Sequence, residues 1–538
     1  MNIQANSAQK IFHSFALNQS KKVAAEAAGD SVSLGNREAY VVMPPKGNQL
    51  FKSEGPSAKS LVEASGAEIH EDLGLVGGYL ASLSPKQASD LQKRGFRLVP
   101  DKVENFLPPD PGSLDLAEEE SAEEKKPAKP AGPYIPRAEM TAPRFDSELT
   151  RKYTGKGVTI AVLDTGVHPH PDFDGRLLGQ VDFVQGLPIA YDDNGHGTHV
   201  SGCAAGDGTM SEGIHKGMAS EANIIGVKVL AGSGSGRNSD IIKGIEWCIE
   251  NKDELGIRVI NMSLGGPSSK DWENDPINQA VKAAHDAGLV VLAAAGNEGP
   301  GRKTVGSPGN SPDAITVGAA DDKDTPDPSD DTMAEFSSRG PTKDGRPKPD
   351  IVAPGEHIFA ALAPSTDKMK SGLGNGVLHK ALLGLDKMPY ETLAALPKET
   401  FQAMGLGART IAAFKEDENT AQAEFNRLLA ATTRTEIHKS KAYQALPGTS
   451  MATPIAAGLV AAMLQANPDL SPDQVSEILT STADKLPGKW GPNSQGAGMI
   501  DPDEALTRAL ETKGNQAEFI AAHAPKPEEP KAEEKPAA

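Results

Sequence analysis

The strongest constraint on how this chain can fold is a set of short, almost uninterrupted apolar runs. VTIAVLD, NIIGVKVL, RVINMSL, VVLAAAG and AITVGA are all of strand length and rich in β-branched residues. Between them lie NSDIIKGIEWCIEN, NDPINQAVKAAHDAG and ATPIAAGLVAAMLQAN, which read as helices. A strand that is apolar on both faces must be covered on both faces, and intervening helices supply that cover. The expected architecture is therefore α/β, with a mostly parallel sheet between layers of helices. In such sheets the chemistry gathers at the carboxyl ends of the strands.

Smaller units flank this core, as the length of 538 residues requires. Residues 1–37 read as a flexible polar arm. Residues 38–107 form a compact α+β unit. AYVVMPP is a strand, SAKSLVEASGA a helix, IHEDLGLVGGYLASLS two strands around a Gly-Gly turn, and FRLVPDKVENF a closing strand. A second helix over Pro85–Arg94 has Ser84 as its cap, proline in the first helical position and Gly95 as the left-handed residue after its end. That element order is the split βαβ, ferredoxin-like arrangement. Residues 108–138, with their Pro-rich and acidic runs, cannot bury enough apolar surface to fold and read as a disordered linker. Residues 139–514 hold the main domain, with a helical insertion at about 366–442, and 515–538 read as a disordered tail.

The formal net charge of −19 argues against nucleic acid or an anionic membrane as partner, since both need concentrated Lys and Arg. No apolar run reads as long enough to span a bilayer. The two cysteines, Cys203 and Cys248, fall in helical, partly apolar segments and read as buried thiols, too few for a disulfide scaffold. The first twenty residues lack the continuous apolar stretch of a secretory leader, which leaves cytoplasm and non-classical export both open.

Four motifs carry chemistry. The strand VTIAVLD ends at Asp164-Thr165-Gly166, which fits an aspartic protease loop, a structural turn, or one carboxylate of a larger constellation. NGHGTHVSG brings His196 to a helix start between glycines; His199 reads as a packed helix residue, because no acidic third ligand accompanies the pair as a metal site would need. GTSMATP sets Ser450 just before an Ala-rich helix, with Pro454 in its first turn. Such a serine can cap the helix, or use the positive helix end to stabilise developing negative charge. LVVLAAAGNEG ends at Asn297, either a turn residue or an amide donor to an oxyanion. All four stand at strand ends or helix starts of one sheet, in the chain order Asp, His, Ser, which is that of subtilisin.

VLDTGVHPHPDF, NGHGTHVSG, VINMSLGG, AAAGNEG and GTSMATP together resemble the subtilisin (subtilase) family, over roughly 156–363 and 446–504. The resemblance implies a subtilisin-like three-layer fold preceded by a propeptide domain. It implies a serine endopeptidase with Asp164, His196 and Ser450 as triad and Asn297 as oxyanion donor. Gly234, Ser235 and Gly236 on one side, and Ser263, Leu264 and Gly265 on the other, match the segments that pair with substrate backbone. Gly306 matches the floor of the pocket for the residue before the scissile bond, which implies broad specificity with a large apolar residue there; Glu298 stands at its rim. The 38–107 unit resembles the inhibitory propeptide, with Leu107 in that same pocket. The implied partners are protein or peptide substrates and the chain's own propeptide unit, in a monomer.

The chain also departs from the family. Pro108 and Pro109 follow Leu107, and proline after a scissile bond obstructs attack, so maturation is expected within the linker or not at all. No cofactor is needed for the chemistry. A structural calcium is left open: GDGTMSEGIHKG lacks the usual ligand pattern, although Asp172 stands where one ligand would be. The 366–442 insertion runs directly into the Ser450 motif, and as a lid it would make the chain a dedicated processing protease. An aspartic protease and an inactive binding protein are the other readings.

Overall fold

The computed structural model describes residues 11, 12, 15, 37–45, 57–107, 145–187, 189–269, 271–363, 390–395, 414–417, 420–421 and 442–524. The linker expected at 108–138, most of the 366–442 insertion and the end of the tail lie outside them.

The N-terminal unit runs β1 (Glu38–Met43), α1 (Ala58–Ala64), β2 (Glu68–Leu73), β3 (Gly78–Leu83), α2 (Pro85–Lys93), β4 (Arg97–Pro100) and β5 (Glu104–Asn105). The first four strands form an antiparallel sheet in the order β2-β3-β1-β4, as the split βαβ pattern requires. Helix α2 starts where the sequence marks it. The Ser84 hydroxyl accepts from Gln87 N, the Gln87 side chain accepts from Ser84 N, and Gly95 is left-handed at φ +86°. Val42, Val62, Leu91 and Phe96 fill this unit's own small core.

The main domain is built on a larger sheet of β6 (Thr159–Asp164), β7 (Leu177–Asp182), β8 (Asn223–Lys228), β10 (Ile257–Met262), β11 (Val290–Ala294), β12 (Ile315–Asp321), β13 (Thr332–Met333) and β14 (Ile351–Pro354). The order is β13-β12-β11-β10-β6-β8-β7, with β14 also on β12, and every pairing is parallel except β12–β13. The short β9 (Ser235–Gly236) pairs with β5, and β15 (Ile358–Ala361) with β16 (Tyr443–Leu446).

The pleat sorts the core into two. Ile160 and Val162 of β6 face α3 (His196–Ala205) and α6 (Thr449–Ala466); Ala161 and Leu163 face α4 (Asn238–Leu255) and α5 (Pro276–Asp286). The fold is therefore three-layered, helix on sheet on helix. Contrary to the sequence reading, α6 is by length and composition apolar enough to cross a membrane. It is instead a core helix, 89% buried inside the protein.

Two boundaries differ from expectation. The tail does not begin at 515, because α7 (Gln516–His523) docks on α5. Phe519 is buried there, edge-on to His285 at 5.2 Å, and Gln516 Nε2 donates to Gly288 O at 2.8 Å. The arm is likewise anchored at points, since Ile11, Phe12 and Phe15 pack against the core on the α4 side. Local apolar residues outweigh the polar composition around them in both places.

The N-terminal unit sits on α4 and α5. Leu75 N donates to Glu246 Oε1 at 3.1 Å, Arg97 Nη1 to Asn274 Oδ1 at 2.5 Å and Arg237 Nη1 to Asp101 O at 2.7 Å. The Asp101 carboxylate accepts from Ser239 N at 3.0 Å and Ser239 Oγ at 2.8 Å. It thereby caps α4, whose own flanking residue Arg237 makes no side-chain cap.

Candidate active site

The carboxyl edge of the sheet brings the sequence motifs together. Asp164, the fully buried last residue of β6, receives His196 Nδ1 at 2.8 Å and 3.0 Å on its two oxygens. Gly195 enters α3 at φ +98°. The next glycine is forced by space, because a Cβ on Gly197 would lie 2.1 Å from Gly166 O and 3.1 Å from the Asp164 carboxylate.

Asp192, which the sequence reading did not single out, holds the two motifs in register. Its buried carboxylate accepts from Asn194 N, Gly195 N, Thr198 N, Thr198 Oγ1 and Thr165 Oγ1, all between 2.7 and 3.0 Å. The aspartate before an Asn-Gly turn and a helix start was the available signal. Lys228, fully buried, adds a second tie by donating to Thr165 O at 2.6 Å and Asp193 Oδ1 at 2.7 Å.

Ser450 is the second residue of α6 and not the residue before it, and Pro454 lies beyond the first turn. The proline has no N–H to give to the carbonyl four residues back, which is that of Ser450. Ser263 Oγ donates to that carbonyl at 2.8 Å instead. The Ser450 hydroxyl donates to Ser263 O at 3.2 Å. Gly448 takes φ +147° to turn the chain into the helix.

The Asn297 carboxamide oxygen accepts from Thr449 N and Thr449 Oγ1, both at 3.0 Å. Its amide nitrogen is thereby directed to the turn before Ser450, 3.4 Å from where a Cβ on Gly448 would be. That nitrogen and the Ser450 N–H, free of an intrahelical partner at the helix start, form a pair of donors.

The edge segments are occupied by the chain itself. Glu104 pairs with Gly236 and Asn105 with Ser235; Phe106 N and Leu107 N donate to Gly234 O at 3.2 Å, and Gly265 N donates to Phe106 O at 2.8 Å. Of the second segment only Gly265 pairs in this way. Ser263 is buried against Ser450, and the Leu264 side chain belongs to the core. Gly306 is backed by Gly266, whose carbonyl would be 2.7 Å from an added Cβ. The Leu107 side chain lies on Gly234, and the Phe106 ring lies on Gly266. The pairing of Phe106 O with Gly265 N fixes this register.

His199 is a packed helix residue, as its sequence context indicated. Its Nε2 faces Ile358 O at 3.0 Å and Gln444 O at 2.9 Å, and complete burial holds it neutral, with its pKa down to about 3. Cys203 and Cys248 are buried, and burial raises both thiols well above their ordinary range. Asp172 accepts the Tyr443 hydroxyl on both oxygens, at 2.9 and 2.7 Å, and Met210 N on one at 3.1 Å.

With this geometry in view, comparison with known proteins is informative. Residues 155–498 match the model of the subtilase family, peptidase S8. Serine protease AprX of Bacillus subtilis is 42% identical over 359 residues, covering 66% of this chain and 67% of the relative. Subtilisin Savinase of Lederbergia lenta is 38% identical over 43% of this chain and 76% of its own length. Subtilisin-like protease 3 of Pseudogymnoascus destructans is 36% identical over 46% of this chain, which spans only about half of that relative, 55%. The aspartic protease reading of the Asp164 loop is thereby set aside, and the chain belongs to the subtilase family of serine peptidases.

Proposed function

We propose that this chain is a serine endopeptidase whose triad is Asp164, His196 and Ser450. Ser450 Oγ attacks the scissile carbonyl while His196 takes its proton and then delivers it to the leaving amine, and the acyl-enzyme is hydrolysed by the reverse sequence. Asp164 fixes the tautomer of His196 and stabilises the imidazolium. Asn297 and the Ser450 N–H receive the oxyanion. The observation that carries this reading is the Asp164–His196 pair at 2.8 Å, in one site with a serine at the start of a helix. Labelling with a fluorophosphonate should modify Ser450, and Ser450→Ala should abolish turnover while leaving the melting temperature intact. An alanine variant that still cleaves peptides defeats the assignment.

Substrate would lie as an extended strand between Gly234–Gly236 and Gly265, where backbone pairing gives affinity with little sequence choice. The side-chain-free wall at Gly306 favours a large apolar residue before the scissile bond. The 38–107 unit acts as the inhibitory propeptide, because its residues 104–107 take the same backbone groups that a substrate would. With Leu107 on Gly234, the reacting position falls beyond Leu107, where the sequence is Pro108–Pro109. Cleavage that frees the enzyme therefore belongs in the linker.

The sequence resemblance left a structural calcium at Asp172 open; the reading favoured here is that Asp172 holds protein donors instead. Its two oxygens accept from the Tyr443 hydroxyl, and one of them also from Met210 N. Calcium needs six to eight converging oxygens. The Tyr443 phenol, its pKa raised first of all by burial, stays protonated and serves as the donor in place of an ion.

A further inference from the structure

We infer that Ile11, Phe12 and Phe15 form a latch that holds the N-terminal inhibitor on the peptidase after the linker is cut. This rests on the reading of the 38–107 unit as an inhibitor.

The contact is aromatic and specific. The Phe12 ring stacks on Trp247 of α4, with centroids 5.9 Å apart and planes 28° from parallel. Phe15 meets Phe183 edge-on at 5.1 Å. Phe183 directly follows β7, the terminal strand of the large sheet. Within β7 a glycine makes room: a Cβ on Gly179 would lie 2.5 Å from the Phe12 ring, far inside contact distance. Ile11 packs against the same core. Three large apolar residues of the arm thus meet a receiving surface of Trp247, Phe183 and Gly179.

The latch also continues an interface already in place. On α4, Glu246 receives Leu75 N of the N-terminal unit at 3.1 Å, and Lys243 meets Glu71 of that unit at 3.5 Å. Trp247 is the next residue, and Lys243 Nζ stands 6.0 Å over the Phe183 ring. Helix α4 is therefore gripped from two sides by one stretch of chain. When two attachments belong to one chain, the second binds at an effective concentration in the millimolar range, and both must open before the chain departs. Aromatic anchors are among the residues whose loss is felt most at such contacts, and here the half-buried Phe12 and Phe15 rings meet the buried Trp247 and the Phe183 ring.

The test uses the full chain with the recognition sequence of a specific exogenous protease inserted between Glu120 and Ser121. After nicking, peptidase activity against a short chromogenic peptide and retention of the N-terminal piece on size exclusion are followed together. In Phe12→Ala/Phe15→Ala, activity should appear at least about tenfold faster than in the parent, the change expected from truncating two aromatic anchors. The final kcat and KM should be unchanged, and melting of the un-nicked chain shows whether the variant is folded. Deletion of residues 1–20 is the second variant and should behave alike. Equal activation rates and equal retention in parent and variants overturn the latch. If the nicked parent is fully active while its N-terminal piece is still bound, the inhibitor reading fails, and retention alone then reports on the latch.

Discussion

At the scale of single residues, the site depends on groups whose own hydrogen bonds are made elsewhere. Ser263 is the clearest case. Pro454 leaves the Ser450 carbonyl without a helical donor, and Ser263 Oγ fills that position. Ser263→Ala should strand a buried carbonyl, at about 1–3 kcal/mol, and loosen the turn that presents the hydroxyl. Steady-state kinetics should give a kcat lower by roughly tenfold with KM within about twofold, since a misplaced nucleophile harms the transition state more than binding. His199 makes a prediction in pH. Its folded pKa, about 3, lies below the ordinary 6.5, so the unfolded chain binds the extra proton between those values. The stability it contributes is complete above pH 6.5 and is lost as pH falls towards 3, by about 1.4 kcal/mol per unit. Melting of the Ser450→Ala chain from pH 7 to 5 should show this slope, and His199→Gln should flatten it.

At the scale of elements, much was legible because it is local. The apolar runs specify β6, β8, β10, β11 and β12, and Ser84, Pro85 and Gly95 bound a helix, because pleat, cap and left-handed turn are decided by a few neighbouring residues. The four motifs likewise named Asp164, His196, Asn297 and Ser450 without a fold. What could not be read is whatever depends on distant partners. Asp192 gathers donors from Thr165 to Thr198, and the seat of Leu107 follows from pairing with segments far along the chain. Asp172 belongs to the same class: its sequence context suggests an ion, but Tyr443, arriving 271 residues later, occupies its oxygens. A bound ion would raise the melting temperature with its concentration. Melting in EDTA and in millimolar calcium should therefore coincide, and a calcium-dependent rise that disappears in Asp172→Asn would contradict the assignment.

At the scale of the whole molecule, two folded units are built to each other's surfaces. Asp101 supplies the cap that α4 lacks, so the first turn of a core helix is completed from outside its own domain. Asp101→Ala should speed amide exchange at Ser239 and lower the melting temperature by a few degrees, as loss of an N-cap of about 1 kcal/mol implies. Unchanged exchange at Ser239 would separate the contact from stability. The pairing of residues 104–107 with Gly234–Gly236 and Gly265 has a consequence beyond the inhibition proposed above. A groove that pairs an extended strand by its backbone is, when empty, an unpaired β edge, and such edges are where proteins stick to copies of themselves. While the chain's own strand lies there, this edge is not offered to neighbouring molecules; once that strand leaves, it is open to any extended chain, a second copy included.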